Sequence, residues 1–70
     1  MIDLKENIKR LRRQAGLTQH ELAAALGYKS QSAVAMWEMG DRKPPSDKIP
    51  EIARVLGCSL DDLFLDTEAD

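Results

Sequence analysis

The sequence predicts an all-α fold, a compact bundle of five short helices with a helix-turn-helix at its centre. Three observations predict it. Apolar residues recur three and four positions apart, capping sequences open helices at Thr18 and Ser59, and Gly16, Gly27, Gly40 and Gly57 stand where those helices should close.

The first helix starts after Asp3, a potential cap, and Leu4, Ile8 and Leu11 share one face. Lys5, Lys9, Arg12 and Arg13 are then expected to face water. The late cations also oppose the negative end of the helix dipole, so Arg12 and Arg13 have a structural reading as well. Gly16 ends this helix, and Leu17 is expected to pack inward.

Thr18-Gln19-His20-Glu21 has the form of a capping box: the threonine accepts from the third backbone N–H while Glu21 reaches back. Leu22, Ala23 and Leu26 form the buried face of this second helix, and Gly27 suits a left-handed closing residue. Tyr28-Lys29-Ser30 reads as a turn, with Ser30 as N-cap of a third helix running to Met39. Val34 and Trp37 give that helix an inner side, and Tyr28 is expected to pack on the core. Its outer side carries Gln31, Ser32, Ala35 and Met36. These are neutral or small, contain no acid, and make a surface able to enter a DNA major groove. Glu38, behind Trp37, reads as a structural hydrogen-bonding or ion-pair residue.

Gly40-Asp41-Arg42-Lys43-Pro44-Pro45 is a loop, because glycine and tandem prolines resist helix and strand. Ser46 can cap a fourth helix whose apolar face is Ile49, Ile52, Ala53 and Leu56, although Pro50 lies in its first turns. Ser59-Leu60-Asp61-Asp62 is a second capping sequence, opening a short fifth helix with Leu60, Leu63 and Phe64 as its stripe. The domain is expected to span residues 1–65, followed by an acidic tail from Asp66 to Asp70 that frays.

Seventy residues allow one small domain, and 43% apolar with 31% charged residues suits a globular chain. The sequence lacks a long apolar run or a secretion-type N-terminus, so no membrane partner and a cytoplasmic location are expected. Cys58 is the only cysteine and His20 the only histidine. Intramolecular disulfide, metal and cofactor chemistry are therefore not expected, and Cys58 reads as a small core residue. The net charge is −2, yet residues 1–48 hold nine Lys or Arg against six Asp or Glu, while residues 49–70 hold one against six. The positive end lies on the half that holds the helix pair, as phosphate binding needs.

The chain resembles the lambda-repressor and Cro-like helix-turn-helix domains, also called the XRE family. The resemblance covers about nine-tenths of the sequence and rests on many ordered matches rather than one. They are Gly16-Leu17-Thr18-Gln19, Glu21-Leu22-Ala23, Leu26-Gly27, Trp37-Glu38 with Gly40, Pro44 or Pro45, Ile52-Ala53, Leu56-Gly57 and Ser59-Leu60. One departure stands out: the ten positions from Gly27 to Trp37 are one more than the family usually has.

The resemblance implies a sequence-specific regulator of transcription, most simply a repressor, that binds double-stranded DNA. Base contacts are expected from Lys29, Gln31, Ser32, Ala35 and Met36, and phosphate contacts from Arg12, Gln19, Ser30, Arg42 and Lys43, with Lys48 a weaker candidate. A homodimer through Leu63, Phe64 and Leu65 would match a near-palindromic operator. An antitoxin-like protein-interaction module is the alternative, motivated by the acidic C-terminal end and a reading helix without arginine. Catalysis is not expected, because no paired carboxylates, phosphate loop or metal-ligand spacing is present.

Overall fold

Helices form where apolar spacing and caps coincide. A computed structural model describes residues 3–65, and its helices run α1 (Leu4–Gln14), α2 (Gln19–Ala25), α3 (Ser32–Met39), α4 (Ile49–Leu56) and α5 (Leu60–Leu63). A 3-10 turn, Ser46–Lys48, precedes α4. The all-α class is as the sequence predicts, and the acidic segment 66–70 lies outside the described residues.

Both capping boxes form. Thr18 Oγ1 accepts from the Glu21 N–H at 3.0 Å while the Glu21 carboxylate accepts from the Thr18 N–H at 2.9 Å. Ser59 and Asp62 repeat the exchange at 3.1 and 3.0 Å, which lets a four-residue α5 exist at all. The other helix starts differ from expectation. Asp3 occupies the N-cap of α1 without a side-chain bond. Ser30 accepts from the Ser32 N–H at 3.3 Å, but the chain becomes helical only at Ser32, so Gln31 takes the N-cap position. Ser46 does not cap α4: the chain leaves Pro45 into the 3-10 turn, with the Lys48 N–H on the Pro45 carbonyl at 2.9 Å. Pro50 falls in the first turn of α4, where a missing N–H costs no helical bond.

The core joins Ile8 and Leu11 of α1, Leu22, Ala23 and Leu26 around α2, Val34 and Trp37 of α3, Ile52, Ala53 and Leu56 of α4, and Leu63. Ile8, Leu22, Val34, Ile52 and Leu63 are fully buried, each contributing about 1.5–3 kcal/mol relative to exposure. In this packing α1 rests on α3 and α5, and α2 on α3 and α4.

Asn7, a polar residue on the apolar side of α1, is buried. Its Nδ2 donates to the carbonyls of Leu63 at 2.8 Å and Leu65 at 2.9 Å, tying the end of α5 to the first helix. One expectation is corrected here. Leu63 sits wholly inside the core and cannot serve a dimer contact, whereas Leu60, Phe64 and Leu65 are 48%, 42% and 51% exposed.

Candidate nucleic-acid interface

The turn between α2 and α3 is fixed from three directions. Gly27 adopts φ 90°, a conformation that favours glycine, and the Tyr28 N–H returns to the Ala23 carbonyl at 2.9 Å. The Tyr28 ring meets Trp37 edge-on, with centroids 5.8 Å apart and planes at 74°, which bears out its packing role. Lys48 reaches over from the 3-10 turn. Its Nζ lies 5.4 Å from the Tyr28 centroid, donates to the Leu26 carbonyl at 3.3 Å and pairs with Glu51 at 3.2 Å. The Glu51 hydrogen bond raises the Lys48 pKa.

With the turn held, α3 faces two ways. Val34, Trp37 and Glu38 are buried, while Gln31 and Ser32 are exposed and Ala35 and Met36 half-exposed. The expected reading residues therefore share one open surface. Met39, 67% exposed and seven positions after Ser32, continues that strip. Helical spacing alone would have marked it. Lys29 and Ser30 stand exposed just before α3, where Ser30 Oγ and Ser32 Oγ are 3.1 Å apart. Arg42 and Lys43 are exposed on the loop beyond its far end.

Arg12 is a correction. It was expected in water and on a phosphate, but it is only 8% exposed and turned inward. Its Nε and Nη2 donate to Glu38 at 2.6 and 3.0 Å, and Nη1 donates to the Leu17 carbonyl at 2.8 Å. The bond to Glu38 raises its pKa against the opposing effect of burial. Every guanidinium nitrogen already donates within the protein, so Arg12 anchors α1 to α3 and is set aside as a phosphate ligand. Burial alone would raise the Glu38 carboxyl, but bonds from Arg12 and Gln19 and the charges of Arg12 and Lys9 outweigh it and hold its pKa low. Gln19, half-buried at the start of α2, gives one Nε2 hydrogen to Glu38 at 3.1 Å. The other amide hydrogen has no partner within the described residues, which fits an outward contact.

The remaining chemistry is spare. Cys58 is half-buried and packs against the core, and burial followed by the Asp62 charge pushes its thiol up, away from thiolate chemistry. His20 is exposed. No group of His, Cys, Asp or Glu able to hold a metal occurs among the described residues, and no helix there is long and apolar enough to cross a membrane.

The helix-turn-helix family profile matches residues 8–63, enclosing α2, α3 and the core around them. The chain belongs to this helix-turn-helix family. Its sequence is 40% identical over 62 residues to the uncharacterized HTH-type transcriptional regulator y4dJ of Sinorhizobium fredii, covering 89% of this chain and 79% of that one. The corresponding figures for the uncharacterized HTH-type transcriptional regulator YqaE of Bacillus subtilis are 38% over 59 residues, 84% and 50%. Among solved structures, the P22 c2 repressor in complex with a synthetic operator is similar, with a TM-score of 0.78, 26% identity, and 89% and 92% of the two chains covered. This helix-turn-helix protein is a DNA-binding transcriptional regulator of the Cro/C1-like kind.

Proposed function

We propose that this regulator acts as a repressor that reads operator DNA with the start of α3. The observation that carries the reading is the open strip of Gln31, Ser32, Ala35 and Met36, free of acids and flanked by the exposed cations Lys29, Arg42 and Lys43. Gln31 can make a bidentate pair with adenine, Ser32 can donate or accept, and Met36 can lie against a thymine methyl. Ala35 lets the helix sit deep. Lys29 reaches a base or phosphate at the near edge. Gln19, Ser30, Arg42 and Lys43 hold phosphates around the groove.

One such helix touches few base pairs, so two copies bind a near-palindromic site with half-sites about one helical turn apart. Leu60, Phe64 and Leu65 are the exposed apolar residues that suit the contact between copies. Repression follows from occupancy that keeps polymerase off the promoter, in the cytoplasm and without catalysis or a cofactor.

Selection of bound duplexes from a random pool tests the proposal. Recovery of an inverted repeat supports it; failure to enrich any sequence, at low salt as well, overturns it. The protein-interaction alternative draws on the same exposed apolar residues and on Asp61 and Asp62 beside them, and a duplex-free pool would favour it.

A further inference from the structure

A cleft of about 470 Å³ opens between the start of α1, the loop after α3 and the end of α5. Among the described residues its apolar lining is Leu4, Trp37, Pro44 and Phe64, and its charged lining is Lys5, Arg42 and Lys43 with one acid, Asp3. That volume lies in the range of small-molecule sites, about 300–1,000 Å³. Gly40 shapes the wall: a Cβ there would stand 3.0 Å from Lys5 Cδ, so the glycine lets the lysine stem lie along the loop. The loop itself is tied to the end of α3, since the Asp41 and Arg42 N–H groups both point to the Met36 carbonyl, at 3.0 and 3.4 Å.

Apolar walls with three cations and one acid select a particular chemistry. A bare anion would leave the walls unused, and a neutral apolar molecule would leave the cations unpaired. We infer that this cleft binds a small aromatic carboxylate, its ring against Phe64 and the edge of Trp37 and its carboxylate among Lys5, Arg42 and Lys43. Such a ligand draws on two of the cations that hold phosphates in the function proposed above. Ligand and DNA therefore oppose one another, and each weakens the other by the same factor. The antagonism rests on that proposed function, whereas occupancy of the cleft does not; occupancy requires instead that the contact between copies leave Phe64 free and run through Leu60 and Leu65.

The test uses isotope-labelled full chain without DNA, titrated with phenylacetate and followed by amide and indole chemical shifts. Acetate and 2-phenylethanol serve as the charge-only and ring-only controls. Saturable shifts at the Trp37 indole and the Gly40, Arg42 and Phe64 amides are expected, about five-fold or more weaker with either control and in the double variant Arg42→Gln/Lys43→Gln. Arg13→Gln, which removes an exposed cation outside the cleft, leaves the titration unchanged. Shifts that do not saturate, that acetate reproduces, or that are absent because a second copy seals the cleft overturn the site. With a duplex recovered by selection, phenylacetate is expected to weaken binding beyond an equal concentration of acetate. Unchanged duplex affinity with an occupied cleft overturns the antagonism alone, while lack of any duplex binding overturns the proposed function and leaves the cleft result standing.

Discussion

Arg12 on α1 and Glu38 on α3 face each other as a two-pronged buried pair, Nε to Oε2 at 2.6 Å and Nη2 to Oε1 at 3.0 Å, with side chains 10% and 3% exposed. Removing one partner leaves the other charge largely buried and without its counter-charge. Glu38→Ala and Arg12→Ala are each expected to cost about 3–5 kcal/mol, a large share of the stability of so small a domain. The double variant Arg12→Ala/Glu38→Ala should cost far less than the two losses added together. Urea unfolding of the four proteins measures the difference, and simple additivity would refute a coupled pair.

The same pair sets a pH dependence. Because the Glu38 carboxyl lies below its ordinary value of 4.5 in the folded protein, the folded state releases this proton more readily than the unfolded chain. The stabilisation is therefore complete above the unfolded value and is lost as pH falls through the folded one. Unfolding free energies between neutral and strongly acidic pH should show wild type and Glu38→Gln converging below the ordinary carboxylate range. A constant gap would exclude this origin.

Asn7 supplies two hydrogen bonds to the carbonyls that end α5. Asn7→Ala leaves those acceptors without their donor and should cost about 1–3 kcal/mol. Amide exchange is expected to rise first in α5, before α2 and α3 are affected. Uniform exchange throughout the domain would show that Asn7 acts elsewhere.

On DNA, base-reading and phosphate-holding residues should separate by salt. Gln31→Ala is expected to lose about 1–3 kcal/mol of discrimination at one base position with little change in salt slope. Arg42→Gln or Lys43→Gln should weaken all duplexes alike and lower the slope by about one. Lys48→Gln should leave the slope unchanged, because Lys48 is spent on Leu26, Glu51 and Tyr28. Fluorescence anisotropy at several salt concentrations reads all four variants.

What the chain discloses unaided depends on how local the cause is. The Thr18–Glu21 and Ser59–Asp62 boxes are legible because each is closed within four consecutive residues. The inner faces of α2, α3 and α4 are legible because helical spacing repeats within each. The burial of Arg12 is not legible, because its partner lies 26 positions away and a cation at the edge of an apolar face reads as solvated until that partner is known. Asn7 did carry a signal, lying at helical spacing between Leu4 and Leu11, but its carbonyl partners are again remote. Apolar character and the family resemblance group Leu63 with Phe64 and Leu65, and neither tells which of them faces inward. The docking of α5 against α1 turns the first inward and leaves the others in water.

The bond between Asn7 and Leu63, 56 positions apart, also bears on how the chain is made. While synthesis proceeds from the N-terminus at about 5–20 residues per second, a nascent chain that has released only the first four helices still has Asn7 unsatisfied on the face α5 will cover. Completion of the domain therefore waits on the emergence of its last helix. Until then, α3 covers its share of the inner side of α1, and the part that α5 covers, Asn7 included, stays open.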